Sequence, residues 1–157
     1  MKIEALAARL VETLKNREKT LATAESCTGG GIGHAITAVS GSSAVYLGGV
    51  ISYANSVKEQ LLGVPCEVLM TRGAVSEETA RAMAEGVRNL LHADLGVGVT
   101  GIAGPNSDGT SKPVGLVYVS CSDGNRTLVR ENHFSGDREA VRRQSMEAAM
   151  ELVLEML

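Results

Sequence analysis

Five short apolar runs alternate along this chain with stretches whose apolar residues recur every three to four positions. Such switching of period admits few folds. The runs at 20–26, 48–53, 95–100, 114–121 and 127–134 read as strands. Ile3, Leu6, Ala7, Leu10 and Leu14 mark one face of a first helix. A small helix is expected over roughly 31–39. Asn55 reads as the N-cap of a helix reaching Leu62, with Gly63 just past its end. Ser76 is expected to cap a longer helix to about His92, with Glu77 and Glu78 in its first turn. A last helix covers about 137–156. Asp123-Gly124 between the last two runs is a hairpin signal. Strands alternating with helices make a mostly parallel sheet, and the hairpin adds one antiparallel strand. The expected fold is a single three-layer α/β/α domain over residues 1–157, with a mixed five-stranded sheet covered by helices on both faces.

Bulk properties narrow the function. Lys and Arg number 15 against 18 Asp and Glu, for a net charge of −3. That lacks the basic face of a nucleic-acid binder, and four aromatic residues offer little stacking surface for single strands. No nucleic-acid partner is expected. No run of 18 apolar residues exists to span a membrane. The first 19 residues have no apolar core of a signal peptide, so a cytoplasmic location is expected. Cys27, Cys66 and Cys121 are odd in number and widely spaced, as free thiols are. With His34, His92 and His133 they show no metal-ligand spacing, so no metal is expected. Glycine is abundant, at 18 of 157 residues, above an average of about 7%.

Part of that glycine sits where strands end, and there the chemistry concentrates. Residues 24–31, Ala-Glu-Ser-Cys-Thr-Gly-Gly-Gly, join the first strand to a helix. Unpaired amides at such a junction can cradle a phosphate or hold a nucleophile beside an oxyanion hole. An ordinary capped turn is the plainer alternative. Lys58 falls at the third helical position if Asn55 is the cap. A cation there opposes the helix dipole, which lowers its pKa toward that of a general base, though a solvated surface lysine is the plainer alternative. Thr100 and Gly101 leave the end of the third strand, and strand C-termini are where ligands bind in α/β sheets. Tyr53 lies near another such end. Arg138 and Arg142, spaced i, i+4 in the first turns of the last helix, repel each other, and a bound anion would relieve the conflict.

These segments together resemble a known family, the C-terminal domain of competence/damage-inducible protein CinA, also found alone as nicotinamide-nucleotide amidase. The matching stretches are AESCTGG (24–30), GSSAVYLGGVISYANSVKEQLLGV (41–64), GAVSEETARAMAEGV (73–87), GIAGP (101–105), KPVGLVYV (112–119) and FSGDREAVRRQ (134–144). The resemblance implies a five-stranded α/β/α domain that forms a homodimer or higher homo-oligomer. It implies deamidation of nicotinamide mononucleotide to nicotinic acid mononucleotide and ammonia, without a cofactor. Carried over residue by residue, it makes Ser26 the nucleophile, Lys58 its partner and Thr100 an active-site hydroxyl, with Tyr53 close by. Cys27, Thr28, Gly29, Gly30 and Gly101 are then the expected substrate contacts, and Arg138 and Arg142 the candidate phosphate ligands. The alternative is a nucleotide-binding module without catalysis, acting in a competence or DNA-damage response.

Two departures stand out. Residues 105–112 read Pro-Asn-Ser-Asp-Gly-Thr-Ser-Lys, where relatives more often have Asp-Gly-Gly and a Glu before the Lys. Substrate preference or rate is expected to respond to that loop. Many relatives also carry an N-terminal domain linked to ADP-ribose pyrophosphatase activity, which is not expected of this sequence.

Overall fold

A computed structural model describes residues 2–157. The elements run α1 (Lys2–Arg17), β1 (Leu21–Glu25), α2 (Gly31–Thr37), a 3-10 turn (Ser42–Ala44), β2 (Tyr46–Ile51), α3 (Asn55–Leu62), α4 (Cys66–Thr71), α5 (Glu77–Leu91), β3 (Leu95–Gly101), β4 (Leu116–Ser122), β5 (Thr127–His133) and α6 (Arg138–Met156). The strands form one sheet in the order β2-β1-β3-β4-β5. β2, β1 and β3 run parallel, and β4 is antiparallel to both β3 and β5. The expected mixed sheet, with one strand reversed through the C-terminal hairpin, is the one observed. No helix among the described residues is long and apolar enough to cross a membrane.

Two apolar layers hold the sheet. On one face Leu6, Leu10 and Leu14 of α1 pack with Ile32 and Ile36 of α2 and Val141, Met150 and Val153 of α6. On the other, Met83 and Val87 of α5 pack with Leu62, Val64, Ala22 and Ala24. β1 and β3 lie between the layers, and their side chains are buried almost throughout. Both faces of these strands must therefore be uncharged except where a charge has partners, which makes Glu25 at the end of β1 conspicuous.

The termini follow side-chain chemistry. Ser76 caps α5 by accepting from the Thr79 N–H, and Asp137 caps α6 by accepting from the Ala140 N–H. Asn55 is a correction: it is the first helical residue, and Ala54 takes the cap position without a side-chain bond. Lys58 consequently lies one position deeper in α3 than its sequence neighbours imply. β2 also starts two residues before its expected beginning, and its pairing with β1 shifts register between Leu21 and Ala22. The six-residue α4 was not anticipated; it is too short to show a period.

α3 is seated by a close backbone approach. A Cβ added to Gly86 on α5 would run into the backbone of Leu62, at the end of α3. Gly86→Ala is expected to lower stability by about 1–3 kcal/mol, despite alanine's better helix propensity. A urea titration checks this; an unchanged or raised midpoint would contradict the packing argument.

Candidate active site

Ser26 follows β1 directly, and its N–H donates to Val99 O of β3 at 3.0 Å. The chain then turns sharply through Gly29 and Gly30, whose φ values of 57° and 93° suit residues without a side chain. The Gly29 N–H donates to Ser26 O at 3.0 Å. Beneath the turn lies the Glu25 carboxylate. Its Oε1 accepts from the Thr28 hydroxyl at 2.7 Å and the Ile32 N–H at 2.8 Å, and its Oε2 accepts from the Gly33 N–H at 3.0 Å. A buried carboxylate is tolerated here because it faces the positive end of α2.

That arrangement changes the reading of the turn. The first amides of α2 face Glu25 rather than a ligand, and Thr28 is fully buried. Arg142 reaches across from α6, its Nε donating to Cys27 O at 3.0 Å and its Nη2 to Thr28 O at 3.1 Å. The repulsion expected between Arg138 and Arg142 is met by protein carbonyls, and Arg142 fastens the turn.

Lys58 comes to the same place from α3 and is 1% exposed. Its Nζ donates to Ser52 O at 2.7 Å and Tyr53 O at 3.2 Å, and lies 3.2 Å from Ser26 Oγ. The Ser52 N–H in turn donates to Glu25 O at 2.7 Å, tying the lysine's acceptor to the nucleophile's strand. No carboxylate pairs with the amine among the described residues. Burial lowers its pKa from an ordinary 10.5 to about 8, the nearby Cys27 opposing slightly. The direction matches the sequence expectation, but burial is the leading cause, not the helix dipole.

Thr100 closes the third side. Its hydroxyl donates to Ala74 O at 2.7 Å, so the oxygen is left with lone pairs and no free proton. Arg138, at the start of α6, donates through Nη1 to Gly104 O at 2.7 Å and through Nη2 to Tyr53 Oη at 3.3 Å.

These groups surround a cavity of about 320 Å³. The structure brings Ser26, Cys27, Tyr53, Lys58, Thr100, Gly101 and Arg138 into its wall, and adds Asn106, Ser107 and Asp108 from the 105–113 loop. It does not bring Thr28, Gly29, Gly30 or Arg142 there. The sequence reading missed Glu25, although a lone acid closing a buried strand was a visible signal. It also missed the carbonyls of Ser52 and Ala74, which no residue type announces. Among the described residues, no group of three His, Cys, Asp or Glu side chains gathers as a metal site.

Cys27 is adjacent to Ser26, yet burial pushes its thiol up to about 11, and Cys121 is pushed up to about 12. Both stay protonated at neutral pH and are poor nucleophiles. Cys66 is exposed. Brief iodoacetamide treatment of the folded chain at pH 8 is expected to add one label, at Cys66, by mass spectrometry. Equally fast labelling of Cys27 would refute its inertness.

Comparison with known proteins identifies the family. Residues 3–157 match the CinA C-terminal domain family. The nicotinamide-nucleotide amidohydrolase PncC of Pseudomonas putida is 46% identical over 155 residues, covering 98% of this chain and 96% of that protein. A CinA-like protein of Synechococcus sp. (strain RCC307) is 50% identical over 152 residues, covering 96% of this chain. The chain spans about a third of the length of that relative and of several others described as CinA-like or competence-damage inducible. The crystal structure of the competence/damage inducible protein CihA from Agrobacterium tumefaciens superposes with a TM-score of 0.95 at 39% identity, covering 99% of this chain and 95% of that one. In sequence and in fold, this chain belongs to the CinA C-terminal domain family.

Proposed function

We propose that the chain is an amidohydrolase that converts nicotinamide mononucleotide to nicotinic acid mononucleotide and ammonia, with Ser26 as nucleophile and Lys58 as general base. One observation carries this reading. Two carbonyls accept from Lys58 Nζ, and the third direction around the nitrogen faces Ser26 Oγ at 3.2 Å. A neutral amine in that setting donates two N–H bonds and turns its lone pair to the serine proton. A pKa of about 8 makes that neutral form accessible near physiological pH. The name of the Pseudomonas relative supports the choice of substrate.

Lys58 takes the Ser26 proton as Oγ attacks the carboxamide carbon. The N–H of Cys27, the residue next to the nucleophile and one that lines the cavity, is assigned to the oxyanion, an effect worth about 2.7–4 kcal/mol per donor. The C–N bond breaks, the Lys58 proton passes to the departing nitrogen, and ammonia leaves an acyl ester on Ser26. Water, deprotonated by Lys58, then cleaves the ester and restores the serine. Thr100, left with acceptor lone pairs, receives an N–H of the carboxamide and so favours amide over acid. Arg138 and Tyr53 at the mouth suit the nucleotide phosphate.

The test is direct. Purified protein is incubated with nicotinamide mononucleotide, and ammonia and nicotinic acid mononucleotide are quantified. Equimolar formation of both supports the reading; binding of the nucleotide without either product refutes it.

A further inference from the structure

Thr100 can act as an acceptor only while its proton has somewhere else to go, and that place is the carbonyl of Ala74. Ala74 lies in the non-helical segment between α4 and α5. Nothing in its own side chain fixes the direction of that carbonyl; its neighbours do. Gly73 O accepts from the Ser76 hydroxyl at 2.9 Å and the Thr79 hydroxyl at 2.7 Å. The carbonyls on either side of that pair, Arg72 O and Val75 O, accept from one group, the Lys112 ammonium, at 2.7 and 2.5 Å. Lys112 has no carboxylate partner among the described residues. Two of its donors bracket Ala74, and it does not line the cavity itself.

Lys112 also ends the loop that supplies Asn106, Ser107 and Asp108 to the cavity wall. The same ammonium thus ties together two parts of the cavity lining, one bearing the acceptor of the Thr100 proton and the other the end of the 106–112 loop. A carbonyl released from this bracket is free to rotate. Thr100 would then lose its fixed acceptor and turn its proton into the cavity, against the substrate N–H.

We propose that Lys112 is a positioning residue that acts through Ala74 O to hold the Thr100 hydroxyl as a hydrogen-bond acceptor for the substrate carboxamide. This rests on the amidohydrolase reading. Misplacing one contact at the reacting group typically costs up to about 10²-fold. Lys112→Met should therefore reduce kcat by about 10–100-fold, with a smaller change in KM. The pH midpoint near 8 should stay where it is, because Lys58 and its carbonyls are untouched. Lys112→Arg, which keeps several donors on one cation, should recover most of the rate.

The deciding measurement is a double-mutant cycle on ammonia release with Lys112→Met and Thr100→Val. If Lys112 works through Thr100, adding Lys112→Met to Thr100→Val costs little further, and the two losses do not multiply. Lys112→Gln, with one NH₂ donor, serves in the same cycle should Lys112→Met fail to fold. Wild-type kcat in Lys112→Met, or losses that multiply in the double variant, overturns the proposal alone. No ammonia from the wild type sinks the amidohydrolase reading, and this inference with it.

Discussion

Ser26→Ala is expected to abolish ammonia release, lowering kcat by roughly 10⁴-fold or more, while nucleotide binding stays close to wild type. The asymmetry follows from what Ser26 touches. Its backbone N–H and carbonyl hold the turn, and alanine keeps both. Its hydroxyl meets one protein group, Lys58 Nζ, whose other two bonds remain. Removing the oxygen thus deletes the attacking atom and little of the fold, with a stability change of about 1 kcal/mol or less. A mechanism in which a bound water attacks the amide directly, with Lys58 as base, would spare most of the activity in Ser26→Ala. Single-turnover kinetics with intact-mass detection distinguish the two. The serine route places the acyl group of nicotinic acid mononucleotide, ribose phosphate included, on wild-type Ser26 before free acid appears, and retained turnover in Ser26→Ala would rule it out.

Lys58→Met is the second large effect. Methionine fills the buried stem's space but carries no proton acceptor, so kcat should fall by roughly 10³-fold or more. The wild type supplies the control in its pH profile. Only the neutral amine can take the serine proton, so kcat/KM should rise tenfold per pH unit up to about 8 and then level off. At pH 6 it should stand about 100-fold below the plateau. A flat profile from pH 6 to pH 8 would eliminate Lys58 as the base. Stability carries the same signature with a definite sign. The folded amine titrates near 8 and the unfolded one near 10.5, so between those values the unfolded chain binds more protons. Wild-type stability relative to Lys58→Met should therefore rise with pH across that interval and run parallel below it.

The architecture was legible because it rests on periodicity, and periodicity is written in residue types. Leu6, Ala7, Leu10 and Leu14 turn up buried on one helix face, and Ser76 and Asp137 cap the helices they precede. Asn55 misled because its side chain only permits capping; the cap position falls on Ala54, whose extended backbone needs no side-chain bond. In the site, Ser26 and Thr100 stood out at strand ends, whereas Lys58, by itself an ordinary surface residue type, was legible through the family resemblance. Arg142 was visible as a conflict with its neighbour, but a conflict between charges does not say whether a ligand or the protein resolves it. Here the carbonyls of Cys27 and Thr28, more than 100 residues away in the chain, resolve it. Backbone acceptors are the general blind spot. Ser52 O, Tyr53 O and Ala74 O set the chemistry of Lys58 and Thr100, and any residue at those positions offers the same atom.

The surroundings of Lys58 also bear on the medium in which the chain works. Ion pairs tune most shifted lysines, and dissolved salt weakens an ion pair within a Debye length of about 8 Å. Lys58 Nζ is held by the carbonyls of Ser52 and Tyr53, and burial, not a charged partner, is the leading cause of its lowered pKa. Its proton affinity is consequently a property of the fold, and changes of ionic strength leave its midpoint in place. On the proposed mechanism salt acts instead at the rim, where Arg138 would meet the charged end of the nucleotide, so capture of substrate and activation of the serine should respond to different features of the solution.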